Sequence, residues 1–277
     1  MDRQLAEKRR RLEGILRDLG GVVIGFSGGV DSSYLYAVAV AVLGDRTLGV
    51  TACSETYPER ERREAQTLAA HLGGRHRLIV SEELDLPAFT TNPPDRCYHC
   101  KFELFRQLRR VAEQEGLPHV ADGSNRDDRG DHRPGRRAAR ELGVRSPLDE
   151  AGLGKQEIRA LSQELGLPTW DKPAFACLSS RFPYGTPITR EKVSQVGRAE
   201  EGLRALGLRV LRVRHHGDVA RLEVGPEEFS RLAGALREDA VRVVKTAGYA
   251  YVALDVQGYR TGALNEVLDA AQREVDE

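Results

Sequence analysis

Apolar and polar positions along the chain fall into two differently patterned halves. Met1 to Asp18 is charged, with Leu5, Leu12, Ile15 and Leu16 on one stripe, which predicts an amphipathic helix. An apolar run from Gly21 to Phe26 predicts a buried strand that breaks at Ser27-Gly28-Gly29, and an apolar-periodic helix follows over Tyr34 to Leu43. Thr47 to Cys53 predicts a second strand, and Pro58 to Leu72 a helix opened by proline and followed by Gly73-Gly74. Arg75 to Val80 reads as a third strand. Lys101 to Glu115 reads as a helix opened by Cys97-Tyr98-His99-Cys100 and stopped by Gly116. A fourth strand over His119 to Ala121 ends in Asp122-Gly123-Ser124-Asn125. Strands alternating with helices predict a parallel, doubly wound α/β sheet. Ligands on such sheets sit outside the carboxyl ends of the strands, where Ser27, Cys53 and Gly123 all fall.

The second half changes character. Glu191 to Leu206 predicts one amphipathic helix. Leu208 to Arg214 and Val219 to Val224 predict strands joined by His215-His216-Gly217-Asp218. Glu227 to Arg237 predicts a helix, and Val241 to Thr246 and Tyr249 to Val256 two more strands. This order predicts a smaller α+β domain. The Pro/Gly-rich stretch around Gly185 marks the expected boundary, giving domains 1–185 and 186–277.

Composition narrows the classes. The 277 residues carry 42 basic and 42 acidic side chains, a net charge of zero, which argues against a surface that coats nucleic acid. No apolar run approaches the roughly 18 residues of a membrane span, and the charged N-terminus lacks the apolar core of a signal peptide. The expectation is a cytoplasmic protein whose four cysteines serve metal binding or catalysis rather than disulfides.

The strand–glycine turn–helix at Ser27 to Ser33 is built for an anion. Gly28 and Gly29 let backbone approach without a Cβ, and the free N–H groups and dipole of the following helix favour negative charge. Ser27, Ser32 and Ser33 add hydroxyls; Asp31 makes sense as a helix cap or as a Mg²⁺ ligand between itself and phosphates. No Lys precedes the Ser, so this is not the Walker pattern. Ser27-Gly28-Gly29-Val30-Asp31-Ser32 instead resembles the PP-loop of the ATP pyrophosphatases, which cleave ATP between the α and β phosphates and place AMP on a substrate oxygen.

Cysteines carry the next signal. Cys97 and Cys100 form a Cys-x-x-Cys at a helix start, where the dipole favours thiolate, and Cys177 lies in Lys172-Pro173-Ala174-Phe175-Ala176-Cys177-Leu178-Ser179-Ser180-Arg181. A redox pair, half of a zinc site, and an iron–sulfur cluster held by three thiolates with one iron open compete with plain structural thiols. Cys53 reads as a buried thiol. Ser179, Ser180 and Arg181 beside Cys177 suit a phosphate or carboxylate. Gly123 permits close approach to a nucleotide, Asn125 can read a carbonyl or amide edge, and Asp127, Asp128 and Asp131 are candidate Mg²⁺ ligands in a loop that reads equally as solvated. Arg212 and Arg214 share one face of a strand, which suits a phosphate or a plain exposed face, and Arg260 sits in the turn Gly258-Tyr259-Arg260-Thr261-Gly262.

Together these segments resemble the LarE family, the ATP-dependent sulfur transferases of nickel-pincer nucleotide cofactor synthesis. The likeness runs nearly end to end: Ser27 to Ser33, Ala121 to Asn125 with Arg133-Pro134-Gly135, Ser146-Pro147-Leu148, Trp170 to Ala174, Cys177 to Gly185, and Gly258 to Gly262. The resemblance implies that ATP·Mg²⁺ binds at Ser27 to Ser33, that a carboxylate of pyridinium-3,5-biscarboxylic acid mononucleotide is adenylated, and that sulfur displaces AMP. It implies Arg212, Arg214 and Arg260 as candidates for the substrate phosphate, with Ser180 and Glu200 nearby, and a homo-oligomer. Two sulfur sources occur in the family. One is the thiol matching Cys177, sacrificed to dehydroalanine; the other is a 4Fe-4S cluster on three cysteines whose open iron carries sulfide. Cys97, Cys100 and Cys177 favour the cluster, reloaded by sulfide or a sulfur-delivery protein. Arg126 departs from the family pattern, which more often has a small residue after the Asn. A tRNA thiolation enzyme and a non-catalytic ATP-binding module are the competing readings; the neutral charge weighs against the first, and the cysteine trio against the second.

Overall fold

The computed structural model describes residues 3–130, 134–173 and 176–268. In chain order the first elements are α1 (Arg3–Leu19), β1 (Val22–Gly25), α2 (Val30–Leu43), β2 (Thr47–Cys53), α3 (Glu59–His71), β3 (Arg75–Val80), α4 (Pro87–Thr90), α5 (Arg96–Glu115) and β4 (His119–Ala121). There follow α6 (Gly135–Glu141), α7 (Pro147–Glu150), α8 (Lys155–Glu164), α9 (Arg190–Ala205), β5 (Leu211–His216), β6 (Val219–Val224), α10 (Pro226–Ala233), α11 (Arg237–Thr246) and β7 (Tyr251–Leu254). Of the described residues, 3–83 and 97–173 form one compact unit, and 84–96 with 176–268 form another.

The first unit holds a parallel sheet in the order β3-β2-β1-β4. Successive strand residues point to opposite faces. Ile24 therefore packs with Leu12, Leu16, Leu35 and Ile158 on one side, and Val23 with Leu48, Phe105 and Leu108 on the other. Both faces are covered by helices, which is why β1 is apolar throughout rather than alternating. The strand order reverses between β1 and β4, so the crevice beyond their carboxyl ends is the ligand position for this topology. The α/β expectation is met, with β2, β3 and β4 at the predicted residues.

In the second unit β5 and β6 are antiparallel and β6 and β7 parallel, with α10 and α11 making the crossover that a parallel pair requires. Here the sequence pattern misled in three places. Val241 to Thr246 is helix, not strand: Ala240 and Val244 are the buried pair at i, i+4, and Glu238 and Asp239 favour a helix start. The helix expected over Glu227 to Arg237 breaks at Gly234 into α10 and α11. β5 begins at Leu211 because Glu228 accepts from the N–H groups of Arg209 and Val210, tying them to a side chain. In the first unit, α6, α7 and α8 were not anticipated, and α5 starts at Arg96, so both its cysteines lie in its first turn. Among the described residues no helix is long and apolar enough to cross a membrane.

Residues 84–96 are stitched into the second unit by one side chain. Asn92 is fully buried and sits at φ +58°, a left-handed backbone that Asn tolerates better than other side chains. Its Nδ2 donates to Pro183 O at 2.7 Å and Thr186 O at 3.1 Å, and its Oδ1 accepts from Arg96 at 2.6 Å. Asn92→Ala strands these partners and strains the backbone, with an expected loss of about 2–4 kcal/mol in chemical denaturation. Asn92→Gly relieves the backbone alone and recovers part of it. An Ala variant as stable as the parent would show that the stitch is dispensable.

Candidate active site

Two sets of chemistry-bearing residues stand in the structure, one in each unit. In the first unit, β1 pairing extends to Phe26, whose N–H reaches Val50 O at 2.8 Å, and the chain then turns through Ser27, Gly28 and Gly29 into α2. Gly28 lies at φ +62°, and a Cβ there would stand 3.1 Å from the Cβ of Ala65, so glycine is required on both counts. The loop's carbonyls are all engaged. Tyr57 Oη donates to Ser27 O at 2.7 Å, Lys172 Nζ to Gly28 O at 3.1 Å, and Ser32 Oγ to Gly29 O at 3.3 Å. Ser27 and Ser32 hydroxyls meet at 3.0 Å. The first N–H groups of α2 have no partner within the helix, so they are what the loop offers an anion.

Asp31 does not cap α2; the cap position is Gly29, without a side-chain bond. Asp31 Oδ2 instead pairs with Lys155 Nζ at 2.5 Å, while its Oδ1 is buried with no protein partner. A lone buried carboxylate oxygen beside the loop is a suitable hard ligand for Mg²⁺. Lys155 opens α8, and that helix start is held by Asp127, which accepts from Lys155 N–H at 2.8 Å, and by Glu157, which accepts from Gly154 N–H at 2.8 Å and pairs with Lys8. The Lys155 N–H holds the Asp127 carboxyl below its usual range. On the other flank Lys172 Nζ lies 2.7 Å from Glu61 and 2.8 Å from Glu64. Burial would raise the Glu61 carboxyl, but Lys172 and then Arg60 outweigh it and hold it low.

The residues after β4 also shape the loop's surroundings. A Cβ on Gly123 would meet Ser32 N at 3.0 Å, so its bareness lets the start of α2 pack against it. Asn125 is buried and its Oδ1 accepts from Asp127 N–H at 2.9 Å, which closes the turn. Asp127 and Asp128 are likewise bound into this turn and the α8 start, through bonds to Lys155 N–H and Asn125 N–H; Asp131 and Arg133 lie outside the described residues.

In the second unit Cys177 precedes the single turn Leu178–Arg181, with its thiol partly exposed. Arg181 is not the solvated linker residue or anion ligand that its position suggests. It is fully buried, bonded to both Glu200 oxygens at 2.7 and 3.1 Å, and its Nη1 donates to Ala176 O, Cys177 O and Ser180 Oγ. Glu200 also accepts from Val213 N–H at 3.0 Å, so it supports the protein rather than reaching a substrate. Arg214 is bidentate to Glu223 at 2.9 and 2.8 Å and donates to Ser180 O at 2.6 Å. Arg212 and Arg214 do share a face, but a buried one. Arg212 lies under the Tyr259 ring, 4.8 Å from its centroid, and burial together with the charge of Arg181 lowers its pKa to about 10. Arg260 is exposed and paired with Glu266.

Cys97, exposed, and Cys100, half-buried, stand three residues apart near the start of α5, on one helix face. Their spacing and soft thiolate chemistry fit iron or zinc. Among the described residues no three His, Cys, Asp or Glu side chains stand together as a metal-binding group. Cys53 is half-buried, and burial pushes its thiol pKa up. Sequence reading missed Lys155, Tyr57 and Glu61. Only Lys155 left a signal: Glu157, Ile158 and Leu161 followed by Gly166 and Pro168 spell a capped helix.

The Arg181–Glu200 pair yields a prediction. Glu200→Gln leaves a guanidinium buried without its counter-charge, with an expected loss of about 3–5 kcal/mol in urea unfolding. Glu200 is held low mainly by Arg181 against the opposing effect of burial, so its folded pKa lies below the unfolded value of about 4.5. Its contribution is complete above that pH and is lost as pH falls through the folded pKa. Stability of the parent should therefore fall more steeply below pH ~4.5 than that of Glu200→Gln; parallel curves would remove the pair from the account.

Comparison with known proteins gives a consistent picture. The family model described as NAD synthase matches residues 12–89, from within α1 through the nucleotide loop to β3 and beyond. The chain is 44% identical over 265 residues to an uncharacterized protein of Synechocystis sp., covering 95% of this chain and 99% of that one. It is 40% identical over 271 residues, 97% of each chain, to the pyridinium-3,5-bisthiocarboxylic acid mononucleotide synthase of Lactiplantibacillus plantarum. An uncharacterized protein of Methanocaldococcus jannaschii is 27% identical over 240 residues. Identity at this level from end to end, on a PP-loop α/β fold with the glycine loop at its switch point, places the chain in the LarE family of ATP-dependent sulfurtransferases.

Proposed function

We propose that this enzyme activates a carboxylate of pyridinium-3,5-biscarboxylic acid mononucleotide as an acyl-adenylate and replaces the activated oxygen with sulfur. The reading rests above all on the loop Ser27 to Ser33, whose carbonyls are bonded by Tyr57, Lys172 and Ser32 and which leads from the carboxyl end of β1, beside the switch point, into the start of α2. ATP phosphates bind those N–H groups. Asp31 would hold Mg²⁺, since its Oδ1 has no protein partner while its Oδ2 is paired with Lys155. A substrate carboxylate oxygen attacks the α-phosphorus, the α–β bond breaks, and pyrophosphate leaves. A sulfur nucleophile then adds to the acyl carbon and expels AMP, which carries away the former carboxylate oxygen. Repetition at the second carboxylate gives the dithio nucleotide.

Arg181 fixes the backbone of Cys177 and so aims its thiol; Glu200 keeps Arg181 in place. Arg212 is kept as a candidate for the substrate phosphate, whereas Arg214 already spends its donors on Glu223 and Ser180. Arg260, exposed on its turn, is the second candidate once it leaves Glu266.

For the sulfur source we favour a 4Fe-4S cluster on Cys97, Cys100 and Cys177 over sacrifice of Cys177; the proposal rests on thiol chemistry, since among the described residues the three do not stand together as a metal-binding group. Support comes from the Cys-x-x-Cys on one helix face and the third accessible thiol beside Arg181. When bound, a cluster on three thiolates supplies an open iron that carries sulfide. Protein purified anaerobically should contain about four iron atoms per chain and turn over more than once, and Cys97→Ala should lose the iron. Iron-free protein that converts Cys177 to dehydroalanine in one turnover would exclude the cluster. Independently, Gly28→Ala should cut pyrophosphate release at least ~100-fold, since the new Cβ strains the loop and meets Ala65. Unchanged release would remove the loop from the mechanism.

A further inference from the structure

We infer that Arg159 is a positioning residue for nucleotide binding: it fixes the turn that delivers Lys172 to the Gly28 carbonyl, and so sets the direction of a loop N–H. The inference rests on the reading of Ser27 to Ser33 as the ATP loop. A peptide unit is planar and trans, so the N–H of one residue points opposite to the carbonyl of the residue before it. A donor that holds a carbonyl therefore aims the next N–H. Lys172 Nζ donates to Gly28 O at 3.1 Å, which aims Gly29 N–H. Tyr57 does the same for Gly28 N–H through Ser27 O, and Ser32 for Val30 N–H through Gly29 O. Successive N–H groups fixed in this way make an anion-binding concavity. The charge of Lys172 is already matched by Glu61 at 2.7 Å and Glu64 at 2.8 Å. What the loop takes from this lysine is direction.

A lysine carries its charge on a flexible four-carbon stem, so it can fix a carbonyl only if its own backbone is fixed. After α8 the chain makes two short turns, with Trp170 N–H on Leu167 O at 3.2 Å and Lys172 N–H on Thr169 O at 3.0 Å. Arg159 spans the carbonyls that follow. Its Nη1 donates to Trp170 O at 2.6 Å and its Nη2 to Lys172 O at 2.8 Å. A guanidinium presents these donors in a rigid planar fork, so both carbonyls are held at once, which a single ammonium could not do. Arg159 stands four residues after Lys155, on the same face of α8. Lys155 pairs with Asp31 in the first turn of α2. One helix face thus governs the loop at two points: Asp31 directly, and Gly28 through Arg159 and Lys172.

The test uses the full-length chain and two readouts beside turnover. One is the fluorescence of Trp170, the one tryptophan of the chain. The other is calorimetric affinity for the magnesium complex of α,β-methylene-ATP, which cannot be cleaved between the α and β phosphates. The parent should bind this analogue. Arg159→Met should shift the Trp170 emission to the red, as the turn opens to water, and weaken the analogue about tenfold, the size of a lost charge-assisted bond. KM for the pyridinium dicarboxylate mononucleotide at saturating ATP should stay within about twofold, because the effect is confined to the nucleotide loop. Arg159→Lys keeps the charge but not the fork; it should show most of both effects and guards against a Met variant that does not fold. Lys172→Met should weaken the analogue to the same degree while leaving the emission as in the parent. A red shift with parental affinity, an emission unchanged in both Arg159 variants, or equal losses on the analogue and the mononucleotide overturns the positioning role and leaves the loop reading standing. A parent without affinity for the analogue overturns the loop reading itself, and the inference with it.

Discussion

Burying a guanidinium is tolerable only when its donors are used and its charge is matched. Arg181 meets both conditions: two bonds to Glu200 match the charge, and one end nitrogen is spent on Ala176 O, Cys177 O and Ser180 Oγ. A buried ion pair contributes little net stability, but it resists displacement, because moving either partner strands the other. The backbone carrying Cys177 inherits that resistance. On the proposed chemistry the sulfur must be aimed at an acyl carbon, and misplacement by an ångström costs about a hundredfold in rate. The charge pair would then act through geometry. Arg214 and Glu223 repeat the device one strand position away, with Arg214 holding Ser180 O.

The nucleotide loop solves the converse problem. An anion site needs N–H groups forward and no carbonyl in the way. Tyr57, Lys172 and Ser32 donate to the carbonyls of Ser27, Gly28 and Gly29 and so occupy them. Gly28 and Gly123 are bare because Ala65 and the start of α2 press on them. Two lysines flank the loop, yet each is matched by a carboxylate, Lys155 by Asp31 and Lys172 by Glu61. Positive charge is present on both flanks but already matched.

Much of the first unit was legible in the chain, because its signals are local. β2 is a largely apolar run, β3 and β4 are short segments set off by glycine or proline, and the loop is a contiguous motif. What escaped were contacts between residues far apart in sequence. Lys155 is 124 positions from Asp31, and nothing local announces the pair. The fates of Arg181, Glu200 and Arg214 were hidden for the same reason: an arginine on a strand looks alike whether it awaits an anion or is already spent on a carboxylate. Val241 to Thr246 misled because a six-residue window fits both periods; the buried Ala240 and Val244, four apart, decided for helix.

The central claim is that a substrate carboxylate, not the enzyme, accepts AMP before sulfur arrives. Its most direct test follows the oxygen. Substrate labelled with ¹⁸O in its carboxylates, turned over with unlabelled ATP, should yield AMP carrying one ¹⁸O and unlabelled pyrophosphate. Label that stays in the thiolated product with none in AMP, or formation of ADP and phosphate in place of AMP and pyrophosphate, would contradict the account.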